Sequence, residues 1–155
     1  MENINLTELK ELKDGKNRLL GFDIGSKNIG LSICDPQFIV ATPLTLLKRK
    51  TFQNFITQLN HIVQSENIAA YIVGLPLHMT GEQGRASQSI QDFTNQICQQ
   101  IPYPVYFQDE RLTTVAAEKM LLSHDVTRKK REKVIDKLAA TYILQTVLDK
   151  LSYES

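Results

Sequence analysis

Tryptophan is missing from this chain of 155 residues, and cysteine occurs only twice, at Cys34 and Cys98. The two thiols stand far apart without His or Cys companions. They match no zinc or redox spacing and read as small buried hydrophobes. Long apolar runs are also lacking: none approaches the roughly 20 residues needed to span a bilayer, so no membrane segment is expected. Met1 to Arg18 is charged and has no apolar centre, which excludes a secretory signal and makes a cytoplasmic location the expectation. An excess of one charge is absent as well, since 18 Lys and Arg face 17 Asp and Glu for a net charge of +1. That excludes the basic whole-chain signature of histone-like or ribosomal proteins, but leaves room for a local basic patch. What remains is a chain 42% hydrophobic and 23% charged, the composition of a soluble domain that buries a core.

The segments fall into a clear order. Residues 1–17 form a polar leader, in which Leu6, Leu9 and Leu12 line one side of a short helix ended by Asp14-Gly15. A single domain is expected over 18–155. Leu19 to Ile24 alternates as a strand, with Leu20, Phe22 and Ile24 on one face and Leu19, Gly21 and Asp23 on the other. Ile29 to Cys34 and Phe38 to Leu44 complete a three-stranded antiparallel meander, separated by turns at Ser26–Asn28 and Asp35-Pro36. Helical spacing follows from Phe52 to Ser65. Ala69 to Leu75 is apolar on both faces, as a central strand covered by helices must be. A polar loop from His78 to Gly84, a helix marked by Ala86, Ile90, Phe93 and Ile97, and a strand from Val105 to Gln108 come next. A short helix is expected over 113–122, capped by Thr113, then a basic segment, then a last helix over 132–151. Two right-handed crossovers would place the fourth and fifth strands parallel to the first. The fold class is therefore α/β and ribonuclease-H-like, a five-stranded mixed sheet of three antiparallel strands plus two parallel crossovers, with helices on both faces.

In such a sheet, chemistry gathers beyond the carboxyl ends of the parallel strands. Asp23 is the one charge in the first strand and ends it among glycines at 21, 25 and 30, which allow close approach. A strand-end Asp that merely caps backbone N–H groups is the bland alternative. The fifth strand ends in Asp109-Glu110-Arg111. The two carboxylates point to opposite faces, so only one can join Asp23. Arg111 can pair with either or hold a phosphate bidentately. On the last helix, Asp136, Ala140, Ile143 and Val147 share an apolar face, so Asp136 heads a buried stripe and needs a cation, hydrogen bonds or water. Its alternative role is favourable placement near the helix N-terminus. Asp23, Glu110 and Asp136 then sit at the same end of the sheet. Clustered carboxylates repel, and hard divalent cations are the usual compensation. Mg²⁺ or Mn²⁺ suits oxygen donors, and no His or Cys set favours zinc.

The segments LGFDIGSKNIGLSI, IVGLPLHMTGEQG, DERLTT and VIDKLAATYIL, spanning Leu20 to Leu144, are similar to those of the YqgF family, also called RuvX. Its bacterial members are Holliday-junction-resolvase-like and pre-16S-ribosomal-RNA-processing nucleases. The resemblance implies a ribonuclease-H-like fold, catalytic and metal-binding carboxylates at Asp23, Glu110 and Asp136, and substrate roles for the loop from Pro76 to Gly84 and for Arg85. The chain departs from the family at Asn28, where Arg is usual, at His78, where Asn is common, and in its longer leader.

These readings lead to a metal-dependent nuclease. Two Mg²⁺ or Mn²⁺ ions roughly 3.5–4 Å apart would serve an in-line phosphodiester hydrolysis. Lys27, Arg85, Arg111 and the basic run that includes Arg128, Lys129 and Lys130 would neutralise the nucleic-acid backbone. Lys48, Arg49 and Lys50 read as plain surface. Ribosomal RNA precursor is the favoured substrate, on a ribosome-associated route, with branched DNA or a non-catalytic ribosome-assembly role as alternatives. A monomer or homodimer is expected. An actin-like or sugar-kinase ATPase also carries a DxG loop, but needs two such domains around its nucleotide.

Overall fold

The structure is a computed structural model that describes residues 1–76, 84–109 and 128–153, with the side chains of 128–137 outside the described set. Its elements run α1 (Leu6–Lys10), β1 (Arg18–Ile24), β2 (Asn28–Cys34), β3 (Ala41–Lys48), α2 (Phe52–Ser65), β4 (Ile68–Leu75), α3 (Arg85–Gln100), β5 (Val105–Asp109) and α4 (Arg128–Tyr153). The helix expected over 113–122 lies outside the described residues. The five strands form one sheet in the order β3-β2-β1-β4-β5. β1 pairs antiparallel with β2 and parallel with β4, and β4 pairs parallel with β5. This is the mixed sheet expected from the sequence.

Strand alternation divides the core into two layers. Leu20, Phe22 and Ile24 point into a cluster with Phe55, Leu59, Tyr71, Val73, Ile90, Ile97 and Val105, the layer covered by α2 and α3. Tyr71 is fully buried there; its hydroxyl donates to the Ile101 carbonyl at 2.8 Å. The other face carries Leu19, Cys34, Ala70 and Ile72 against Ile143, Leu144, Val147, Leu148 and Leu151 of α4. Burial raises the Cys34 thiol to about 11, although the Leu19 N–H bonded to its sulfur opposes the shift.

The leader packs onto the same face. Asn5 and Glu8 form a reciprocal capping box that starts α1, and Leu9 is fully buried. Upstream of the helix, Ile4 N–H donates to the Val105 carbonyl at 3.0 Å, and Val105 N–H to the Glu2 carbonyl at 2.8 Å. These bonds use the free edge of β5, which would otherwise expose unpaired N–H and C=O groups.

Two boundaries differ from the sequence expectation. The third strand begins at Ala41 rather than Phe38 because the Asp35 carboxylate accepts the N–H groups of Gln37, Ile39 and Val40 at 2.7–3.1 Å. These bonds outweigh desolvation and hold the carboxyl below its ordinary range. Phe38 takes φ of 58° in that loop, and Ile39 and Val40 face solvent. The last helix begins at Arg128 rather than at 132. Arg, Lys and Glu are strong helix formers, so the charged run joins the helix instead of preceding it.

One contact fixes the distance between α4 and the sheet. Ser32 Oγ donates to the Ala140 carbonyl at 2.7 Å, deep in the core. Gly21, paired with Ser32 across β1 and β2, leaves the room for it. A Cβ at Gly21 would collide with Ser32 Oγ and lie 3.0 Å from Leu144 Cβ and 3.1 Å from the Ala140 carbonyl oxygen. Replacing Gly21 with Ala should therefore destabilise the fold by about 1–3 kcal/mol through overpacking. Adding Ser32→Ala should recover part of that loss by removing the colliding oxygen. Urea denaturation of the singles and the double reads the coupling; strictly additive losses would contradict the packing account.

Candidate functional site

Asp23, next to last in β1, lies on the α4 side of the sheet and is half-buried. Its neighbours on both sides have no side chain. Gly30 is its partner on β2. On β4, Phe22 pairs with Val73, so one further step sets Asp23 level with Gly74. Gln108, the partner of Gly74 on β5, lies on the same row. The carboxylate thus stands on a patch cleared by glycine, where another chain or a ligand can approach its face.

The direction of α4 follows from two contacts. Ala140 docks at the Gly21–Ser32 pair. Five residues on, Gln145 accepts from the Ala41 N–H at 2.9 Å and donates to the Ile39 carbonyl at 3.0 Å, beside the end of β2 where Cys34 pairs with Ala41. α4 therefore runs against β1, obliquely enough that Lys150 reaches β5 and donates to Gln108 Oε1 at 2.8 Å. Four residues before Ala140, the backbone at Asp136 lies about 6 Å back along the helix. That displacement matches the roughly 7 Å from Gly21 to Asp23. Backbone geometry therefore brings Asp136 toward the Asp23–Gly30 pair.

The fifth strand also discriminates between neighbours. Val105 and Phe107 pack in the α2/α3 layer, so Asp109 falls on that side and is directed away from Asp23. Glu110 is left as the candidate from this strand end. Glu110, Arg111 and His78 lie outside the described residues, as do the side chains of Asp136, Arg128, Lys129 and Lys130. Among the described residues no group of three His, Cys, Asp or Glu side chains comes together. Lys27 occupies the exposed turn between β1 and β2, and Arg85 opens α3.

Arg49 is a cation of this edge that the sequence concealed. Its Nη1 donates to the Gly25 carbonyl at 3.0 Å, its backbone N–H to the Lys27 carbonyl at 2.9 Å, and its guanidinium lies 4.3 Å above the Phe93 ring. It ties the turn after Asp23 to α3. Gly25 closes that turn, with its N–H on the Asn28 carbonyl at 2.9 Å, and a Cβ there would lie 2.8 Å from the same oxygen. Gly74 could have been found by matching strand parity with Asp23. Arg49 had no such signal, since its partners are distant in sequence.

Residues 17–150 match the family model described as RuvX, Holliday junction resolvase. A protein of Rhodospirillum centenum is 40% identical over 152 residues, covering 95% of this chain and 81% of that one. One of Clostridium kluyveri is 44% identical over 135 residues, covering 87% and 98%. Both carry the provisional name pre-16S rRNA nuclease. Among solved structures, Thermus thermophilus RuvC in complex with Holliday junction substrate superposes with a TM-score of 0.54 at 14% identity, covering 88% of this chain and 96% of that one. At that identity the likeness shows the fold, which is ribonuclease-H-like. No helix among the described residues is long and apolar enough to cross a membrane.

Arg49→Ala should lower stability by about 1–2 kcal/mol, from one hydrogen bond and one cation–π contact at an exposed position. Arg49→Lys should restore little, because an ammonium has no planar group to lie on the ring. Unchanged urea midpoints in both variants would show that the turn is held by its backbone alone.

Proposed function

The chain belongs to the RuvX, Holliday junction resolvase, family, and on that premise we propose that it is a metal-dependent nuclease whose substrate is pre-16S ribosomal RNA. The observation that supports this most is the placement of Asp23: a strand-end carboxylate on a glycine-cleared patch, with the backbone of α4 bringing Asp136 toward it. The names of its relatives support the RNA substrate. Branched DNA, which the family description favours, offers the same phosphodiester and is the second reading.

In this reading residues 18–155 act as one cytoplasmic nuclease unit. Asp23, Glu110 and Asp136 supply only hard oxygen donors, a set that fits Mg²⁺ or Mn²⁺. Bound there, one or two such ions would lower the pKa of a water and stabilise the leaving oxygen of an in-line displacement. Asp23, fixed on a central strand, sets the position of the reacting phosphate. Asp136, carried on α4, and Glu110, which follows β5 in the chain, would supply the remaining oxygens. Lys27, Arg85, Arg111, Arg128, Lys129 and Lys130 neutralise the flanking backbone, and each cation bound to a phosphate makes affinity depend on salt.

Incubation of the protein with pre-16S RNA and with a four-way DNA junction tests the proposal. Cleavage of the RNA should occur with Mg²⁺ or Mn²⁺ and stop with EDTA. Asp23→Asn should lower the rate by about 10²–10³-fold, the scale of several kcal/mol of lost charge stabilisation. Melting curves supply a readout apart from activity. Saturating Mn²⁺ should stabilise the parent by about 2.7 kcal/mol at 100 times its dissociation constant. Asp136→Asn should be at least as stable as the parent in EDTA and lose most of the metal response. The helix begins at Arg128, two turns before Asp136, which removes the helix-terminus role. A variant destabilised in EDTA that keeps the full response would therefore make Asp136 a structural residue of α4 and overturn the three-carboxylate site.

A further inference from the structure

On the opposite side of the sheet from Asp23, α2 and α3 enclose a cavity of about 590 Å³, within the range of about 300–1,000 Å³ typical of ligand sites. Among the described residues its lining includes Arg49, Lys50 and Arg85 but a single carboxylate, Asp92. Asp92 is occupied in accepting from Gln88 Nε2 at 2.9 Å. Among the described residues none of the three cations is paired with a carboxylate; the ion pair observed there is Arg18 with Glu66, elsewhere on the surface. Thr51, which caps α2, and Arg85, which opens α3, both line the cavity, and neither helix has an acidic residue in its first turn. Among the described residues, cations and helix N-termini therefore give this concave surface an excess of positive field.

The floor of the cavity is aromatic. Phe93 packs against Phe52 and Phe55 with ring centroids 5.8 and 5.6 Å apart, and Arg49 lies over its face. Phe55 is buried and Arg49 covers the Phe93 face, so the exposed guanidinium is the stacking plane. This suits single-stranded nucleic acid, whose phosphates meet the charges while unpaired bases offer faces to stack. A duplex hides those faces. Position links the cavity to the proposed reaction: Arg49 holds the Gly25 carbonyl, only two residues, roughly 7 Å of extended chain, beyond Asp23. A strand engaged at Asp23 can cross the sheet edge into the cavity.

We propose that the cavity bounded by Arg49, Lys50 and Arg85 holds a single-stranded flank of the nucleic-acid substrate, next to the phosphate presented at Asp23. This rests on the nuclease reading, and it assigns a binding role to a segment whose sequence reads as plain surface.

Fluorescence anisotropy with a short single-stranded RNA in EDTA, over a series of salt concentrations, tests it without requiring cleavage. Lys50→Gln and Arg85→Gln should each weaken binding several-fold at low salt and reduce the slope of log K against log salt by about 0.7. Their double should lose both contacts, with melting curves like the parent's. A duplex of the same length should be affected less. Parent-like affinity and slope in folded variants would overturn the proposal, as would equal losses on the duplex. Displacement of the RNA by a mononucleotide or inorganic phosphate would also overturn it, by making the cavity a small-ligand site. If the parent cleaves RNA while the variants bind normally, only the cavity assignment fails. If the parent binds no nucleic acid, the nuclease reading fails with it.

Discussion

The close approach of α4 to β1 is the constraint on which the rest depends. Gly21 has no side chain, so the Ala140 carbonyl can descend onto the sheet and accept the Ser32 hydroxyl at 2.7 Å. A buried hydroxyl without a partner would cost about 1–3 kcal/mol, so the bond both satisfies Ser32 and fixes the helix along its axis. Gln145 pins the same helix further on, at Ile39 and Ala41. Between these contacts α4 has little freedom to slide. The level of Asp136 relative to Asp23 is thereby set by packing some distance from either carboxylate, as a site built on rigid elements requires.

The two faces of the sheet take different parts. The α4 face carries Asp23 and the glycines beside it, while the α2/α3 face carries the aromatic cavity and its cations. Arg49 connects them through the turn after β1. Its planar group bonds a carbonyl and lies over a ring at once, which Lys could not do. A strand that passes over this edge would meet anionic groups on one side and cationic groups on the other. Divalent ions would have to reconcile the first with a phosphate, whereas the second attracts it directly.

Much of this was legible from residue alternation. The period of two in LLGFDI assigned Leu20, Phe22 and Ile24 to one layer and Asp23 to the other, and burial follows that division. The apolar character of β4 on both faces marked it as central, and Ala140, Ile143 and Val147 are fully buried as their spacing required. Local polar chemistry caused the misses. Asp35 captures three backbone N–H groups and delays β3, so apolar Ile39 and Val40 sit in a loop. The charged run from Arg128 reads as a connection, yet it has high helix propensity. Arg49 was illegible because its partners are brought to it by the fold. The family resemblance chose Glu110 over Asp109, and the parity of β5 fixed by Val105 and Phe107 turns Asp109 away from Asp23.

The central claim is that Asp23, Glu110 and Asp136 meet at the carboxyl edge of the sheet and share divalent ions. Anomalous diffraction at the manganese edge, from crystals of the protein grown with Mn²⁺, tests this most directly. The account predicts one or two peaks at the end of β1, with oxygens of all three carboxylates in the coordination shell at about 2.1 Å, near the distance for a hard cation of this size. Peaks confined to other surface carboxylates, or a shell at Asp23 that omits Asp136, would contradict it.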